Sequence, residues 1–489
     1  MLLNLAFASA FLLGVSLESF IDVPMHYGTF LWLCPVLFLL RKKPLFCLLF
    51  FVLGIGRVQH YEASLQTSFK GGFQSVHGVI GEEVDRRSAF QNISLYTEEG
   101  EVLAQVSIYE DLEFGDELEL QGELELRSAM EEEVGSYKNY LARQGVVALM
   151  SDATVKIKKE GENSFRRQLY RFKSILERRL QLLLPEPESS FAAGLLLGSR
   201  KGMSPELTTA FRTVGLLHIV AISGANISLV IATVFTLLSF LMLRWRIVAS
   251  VAVLAIFVLL VGATSTVIRA AVMGVLTLWG LYFGRRSTAL FGLLWSVVLL
   301  VFWNPYLLLF DVGFQLSVLS TLGLLVFVPV LEGRLTFMQR LPAWTASLKE
   351  ALFLTIAAQI TTLPLMLYCF GQTSWVTPFV NVLVAPLLPL AMLTAFLGLL
   401  FPFFMAPAWA FLAAIEKLAL WGAELPAASL SFTLSLSGLF WLYVLECFFL
   451  LRFYKPTLVR AFFRDPSPLL HKESIPLLQR HEKPSECQV

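Results

Sequence analysis

From residue 186 to residue 453 the chain is almost unbroken apolar sequence, interrupted by turns of a few residues. A water-facing fold cannot bury that much apolar side chain, because every helix or strand needs a polar face for solvent. Composition agrees. Apolar residues make up 56% and charged residues 15%, against roughly 25% charged in soluble domains. A soluble enzyme and a disordered tail are excluded for most of the length. The class is an integral membrane protein with several helical spans. The five cysteines (Cys34, Cys47, Cys369, Cys447 and Cys487) show no CxxC and no metal spacing, and read as free thiols.

Four further blocks surround this one. Residues 1–60 hold apolar runs near 2–18, 28–40 and 44–57. The first lacks the basic flank of a signal peptide, and Ala8, Ser9 and Ala10 come too early for cleavage, so it reads as a retained span. Residues 61–163 are polar, residues 164–185 are basic and amphipathic, and residues 454–489 form a polar tail. Arg41, Lys42 and Lys43 place the second turn in the cytoplasm by the positive-inside rule, so the third run delivers the polar block outside. Downstream spans are expected near 217–243, 247–263, 267–283, 288–302, 307–330, 351–370, 378–401, 404–424 and 434–452. Alternate turns then carry Arg244 and Arg246, Arg285 and Arg286, Arg334 and Arg340, and the tail starts with Arg452, Lys455 and Arg460. The intervening turns at 264–266, 303–306 and 371–377 carry no Lys or Arg. Several runs fall short of the roughly 20 residues a span needs, which marks them as tilted or re-entrant.

The polar block reads as β. Residues 73–80, 92–97, 102–110 and 116–126 alternate apolar and polar, with turn signals at Glu99-Gly100 and Gly115-Asp116. The expected fold class is therefore an α-helical polytopic membrane protein of about 12 apolar segments, with an inserted extracytoplasmic all-β domain of OB-like kind. The block has 21 Asp and Glu against 9 Lys and Arg, a net of −12. As a whole it repels a phosphate backbone. The helix after it sets a stripe of Phe165, Leu169, Phe172, Leu176, Leu180 and Leu183 against Arg166, Arg167, Arg171, Lys173, Arg178 and Arg179. Such a helix suits a lipid surface, or a basic collar that attracts a polyanion.

Polar groups inside apolar runs are costly and mark function or specific packing. His218, Ser223 and Asn226 fall together in one run, with Gly224 between them. Arg269 lies well inside another, after Thr264, Ser265 and Thr266. Asn304-Pro305 precedes Asp311, Gln315 and Ser317, and Asp311 is a natural ion partner for Arg269. Gln359, Thr361, Thr362 and Pro364 are followed by Asn381 and Pro386, a pattern of broken helices around a cavity. No GxxxxGK[ST] and no HxH or HExxH occurs, so neither a P-loop motor nor a metal cofactor is expected.

These segments, in this order, resemble the competence domain of the ComEC family. The resemblance rests on the His218–Asn226 string, Thr266 to Arg269, Asn304-Pro305 with Val312–Ser317, and Gln359–Pro364 with Asn381–Pro386. Tyr137, Tyr140, Arg143 and Gly145 resemble the signature that closes the family's extracytoplasmic domain. The resemblance implies a channel for single-stranded DNA in natural transformation, in the cytoplasmic membrane. It implies an envelope DNA receptor and a cytoplasmic ATPase or helicase as partners. His218, Ser223, Asn226, Arg269, Asp311, Gln315, Gln359 and Asn381 would line or support the pore. Longer members add a metallo-β-lactamase-like domain, so strand degradation is expected to need a separate nuclease. Asn226 stands where the family string carries His. The alternatives are a transporter of a smaller anionic or lipid substrate, and a non-transporting scaffold.

Overall fold

The computed structural model describes residues 2–20, 43–87, 90–130, 135–199, 202–220, 224–283, 289–334, 346–426 and 428–453. The run at 28–40, Ser223, the arginines at 285, 286 and 340, and the tail lie outside these residues. Two helices open the chain, α1 (Leu2–Phe20) and α2 (Lys43–Ser64). Gly14 and Gly54 let their backbones touch: a Cβ on Gly14 would stand 2.0 Å from the Phe51 carbonyl oxygen. This is the close approach that small residues allow between membrane helices.

Helix α2 runs into a small β domain of strands β1 (Gly72–Ile80), β2 (Asp85–Arg86), β3 (Phe90–Thr97), β4 (Gly100–Ser107), β5 (Glu117–Leu126) and β6 (Val146–Lys159). β1 pairs antiparallel with both β3 and β5. β3 pairs with β4, β4 runs parallel to β6, and β6 returns antiparallel to β5. Five strands therefore close into a ring, and closure removes the exposed edges that open sheets carry. The alternation in the sequence is the cause. Leu118, Leu120 and Leu124 are buried in the barrel, while Glu117, Glu119, Glu123 and Glu125 between them stay at the surface. Each such leucine contributes roughly 1.5–3 kcal/mol by leaving water. The turn signals fall at glycines with positive φ, Gly100 at 129° and Gly115 at 88°, where a side chain would be strained. Helix α3 (Gly135–Gln144) joins β5 to β6.

Helix α4 (Phe165–Leu183) then leads to α5 (Glu188–Leu197), α6 (Pro205–Thr213), α7 (Leu217–Val220), α8 (Gly224–Leu237), α9 (Leu243–Val261) and α10 (Ser265–Tyr282). There follow α11 (Ala289–Trp303), α12 (Leu307–Phe310), α13 (Val312–Arg334), α14 (Ala346–Phe370), α15 (Thr377–Val384), α16 (Leu387–Leu400), α17 (Met405–Glu424) and α18 (Leu436–Phe453). A two-stranded sheet of β7 (Gln372–Ser374) and β8 (Ser429–Ser431) ties two of the turns together.

Among the described residues five helices are long and apolar enough to span a bilayer: α9, α10, α13, α14 and α17 with the turn before it. The pair α15 and α16, bent by 43°, makes a sixth if it counts as one span. The remaining apolar helices, including α8, α11 and α18, have apolar stretches of 10–17 residues. The 12 apolar segments of the sequence are thus resolved into fewer full spans and several short ones. The expected run at 217–243 holds α7 and α8, with residues 221–223 outside the description, and the one at 378–401 breaks before Pro386, which cannot donate to the helix ladder.

Three apolar clusters hold the membrane part. One joins α5, α6, α15, α16 and α17 with the end of α4. A second joins α1 and α2 to α11, α12 and α13, and a third lies between α8, α9 and α10.

Candidate functional site

The residues singled out in the sequence divide into a joint and a buried charge. The joint links the barrel to the membrane helices. Asp311 caps α13: its Oδ1 accepts from the Phe314 amide at 3.0 Å. The same carboxylate accepts from Ser265 Oγ at 2.7 Å, at the start of α10. It also pairs with Arg143 of α3 at 3.0 Å. Asn304 donates to the Arg143 carbonyl at 2.7 Å, and Gln315 donates to the carbonyls of Leu308 and Leu309 at 2.9 Å each. Tyr306 is buried within the barrel's own apolar cluster, and its hydroxyl bonds Glu62 at 3.0 Å. Tyr61 donates to the Ala142 carbonyl at 3.0 Å. Arg57 donates to the last carbonyls of α11, Phe302 at 2.5 Å and Trp303 at 2.6 Å, where the helix dipole favours a cation.

The expected Arg269–Asp311 pair does not form. Asp311 spends its charge on Arg143. Arg269 instead reaches Ser317 Oγ from Nε at 3.1 Å and from Nη2 at 2.7 Å, and Met273 Sδ from Nη1 at 3.1 Å. The side chain is buried, and no carboxylate pairs with it among the described residues. The first turn of α8 adjoins it, since a Cβ on Gly224 would stand 3.8 Å from Nη2. The guanidinium thus has hydroxyl and thioether partners but no carboxylate among the described residues, an arrangement that favours an anion.

The other predicted residues stand as follows. Asn226 is buried on the first turn of α8. His218 donates from Nδ1 to the Gly215 carbonyl at 2.9 Å. Gly215 has φ 73° and packs against Thr377, whose hydroxyl donates to the Val214 carbonyl at 2.9 Å. Gln359 donates to the Ser374 carbonyl at 3.3 Å and so holds the β7 turn against α14. Asn381 is half-buried on α15, one turn before the break.

The basic helix is docked on the barrel. Arg167 is buried and binds Asp116 at 2.8 Å and Glu113 at 2.8 Å. Arg171 binds Glu113 at 2.7 Å, and Lys173 binds Glu83 at 2.7 Å. Arg171 in the first place, then Arg167, holds the Glu113 carboxyl below the usual carboxylate range, against the opposing effect of burial. Of the expected apolar stripe, Leu169 and Leu180 are buried, whereas Phe165 and Phe172 are exposed. Leu176 and Leu183 pack against the largest apolar cluster, and ion pairing with the acidic barrel brings Arg167 and Lys173 inward as well. Arg166, Arg178 and Arg179 stay exposed, and Arg166 lies over the Phe114 ring at 5.6 Å.

Sequence reasoning missed Glu416, a buried carboxyl on α17 with an oxygen that has no hydrogen-bond partner among the described residues. An acid inside the 404–424 run was the available signal. It also missed that Arg143 is the partner of Asp311, because 168 residues separate them and no local pattern joins them.

Comparison with known proteins bears on the membrane part. No solved structure matches the chain. ComE operon protein 3 of Bacillus subtilis is 28% identical over 256 residues, which are 51% of this chain and 31% of that protein. The chain therefore spans just under a third of the length of that relative. The Competence protein family profile matches residues 195–456, just over half of the chain. That stretch contains the Gly224–Arg269–Ser317 contact, the Asp311 cap and the broken α15–α16 pair, and the chain belongs to the competence-protein family.

Proposed function

We propose that the chain is a membrane channel that passes single-stranded DNA across the cytoplasmic membrane during natural transformation. Arg269 is the observation that carries this reading. A buried, uncompensated guanidinium in an apolar helix bundle is costly. It is retained where an anion visits, and a phosphate diester is such an anion. The barrel, in which β1 pairs both β3 and β5 and β4 runs parallel to β6, is of OB-like kind and faces the outside. His218, Asn226, Gln315, Gln359 and Asn381 support the path by fixing the turns and helix ends around it. An envelope DNA receptor would deliver the strand, and a cytoplasmic ATPase or helicase would draw it in.

The test is uptake of labelled DNA by cells lacking the chain, complemented with wild type, Arg269→Ala or Arg269→Lys. The assay separates DNA in the cytoplasm from DNA held in the envelope. Wild type restores entry. Arg269→Ala at equal protein level lowers it about tenfold or more, as expected for one lost charge-assisted contact repeated at each phosphate. Arg269→Lys keeps the charge without the planar fork and retains part of it. Unchanged entry in cells lacking the chain overturns the reading and leaves a smaller anionic substrate as the one to test.

A further inference from the structure

The acidic barrel poses a problem for any protein that handles a nucleic acid. With a net of −12 over residues 61–163, it cannot hold a strand by its phosphates. Yet α3 presents two tyrosines where the barrel meets the membrane helices. Tyr137 and Tyr140 lie three residues apart on one helix face. Their rings are stacked, with centroids 6.0 Å apart and planes 12° apart. Each is 40% exposed. Arg143, three residues further on, lies 4.9 Å from the Tyr140 centroid and closes that end of the row.

We propose that Tyr137 and Tyr140 form a ledge on which the bases of single-stranded DNA stack before entering the membrane helices. This rests on the DNA reading above. Stacking on an aromatic ring tolerates any sequence, because every base has a π face, and it acts on the bases and not on the phosphates. An acidic surround would even turn the phosphates outward and the bases toward the rings. The ledge is rigid, because Arg143 is anchored on Asp311 and its carbonyl accepts from Asn304. It is also well placed. Asp311 accepts from Ser265, and Arg269 lies about one helical turn beyond Ser265.

The joint itself does not explain these rings. Tyr61 and Tyr306 fill it, and both use their hydroxyls within it. The Tyr137 hydroxyl makes no hydrogen bond among the described residues, and Tyr140 accepts only from Gln144 of its own helix, at 3.1 Å. Exposed, parallel and anchored at one end, the pair has the form of an unfinished stack.

The experiment compares binding of two labelled oligonucleotides by the full chain in phosphatidylcholine nanodiscs. Both are about ten nucleotides long, within the span of one such domain. One is oligo-dT, and the other has abasic sugars throughout. Wild type is expected to bind oligo-dT about tenfold more tightly than the abasic strand, a modest value for stacked bases. Tyr137→Leu with Tyr140→Leu keeps apolar volume but removes the π faces, and brings the two affinities together. Tyr137→Phe with Tyr140→Phe preserves the difference, and serves as the folded control. Equal wild-type affinity for both strands overturns the ledge and leaves the DNA reading intact. A preference that survives the leucine pair overturns it as well, since other rings then hold the bases. Failure to bind either strand removes the ledge and the DNA reading together.

Discussion

Asp311 shows how one side chain serves three elements. It caps α13, accepts from the start of α10, and holds Arg143 of the barrel. These tasks have different chemical needs, so they separate by substitution. An Asn caps a helix about as well as Asp but cannot neutralise a guanidinium. Asp311→Asn is therefore expected to lower thermal stability by less than Asp311→Ala, which also loses the cap, worth about 1 kcal/mol. Arg143→Ala leaves a buried carboxylate without its cation, a change of the kind that costs about 3 kcal/mol. In the Asp311→Asn background the same Arg143→Ala change should cost far less, because the charge it served is gone. The check is a double-mutant cycle on the melting temperature of the purified chain. Additive effects would mean that the 3.0 Å contact carries no coupling.

At the scale of elements, strand β4 carries an acid whose protonation feeds back on the barrel. Burial above all pushes the Glu101 carboxyl up to about 7 from an ordinary 4.5; the Glu82 charge adds to this, and a hydrogen bond from Ser94 opposes it. A raised carboxyl binds more protons folded than unfolded between these two values, so stability falls as pH rises from about 4.5 to about 7. Hydrogen exchange of β3 and β4 amides in the full chain, corrected for intrinsic pH dependence, should slow between pH 7.5 and pH 6 by about severalfold. Glu101→Gln should flatten that dependence. Elements of this domain were legible where periodicity is strict. The alternation at 73–80, 92–97 and 116–126 falls on β1, β3 and β5. β6 was not legible, because its pairing with β5 shifts register twice and the apolar run at 146–150 breaks the two-residue period. The basic helix was legible as a helix but not as to its inner face. A sequence shows which residues share a stripe, and the acids of a distant strand decide which stripe is buried. The site was legible as a set of polar residues in apolar runs, while the partner of each, as Asp311 shows, depends on tertiary contact.

The whole molecule is organised by sidedness. Asn304 and Asp311 contact Arg143 of the barrel, and Ser265 bonds Asp311 in turn, so the turns before α10, α12 and α13 all face the barrel side. α9 reaches the turn before α10 at its C-terminal end, and the Arg244–Arg246 end of α9 therefore faces the opposite side. The positive-inside rule, applied to Arg244 and Arg246, then predicts the barrel outside and Trp245 inside, the orientation proposed above. In a chain freed of its own cysteines, Phe73→Cys and Tyr109→Cys, at barrel positions 72% and 94% exposed, should react with a membrane-impermeant maleimide in intact spheroplasts. Trp245→Cys, at a position 56% exposed, should react only after lysis. The opposite pattern would invert the protein and put an acidic barrel in the cytoplasm. The tyrosine row at the joint would then face the exit of a DNA path, and Arg269 would be met before it. The expected pattern instead gives an incoming strand one order of contacts, from rings that ignore charge to a guanidinium that requires it. That order suits a polyanion, because repulsion by the barrel is overcome by stacking before the chain offers a cation in the bilayer.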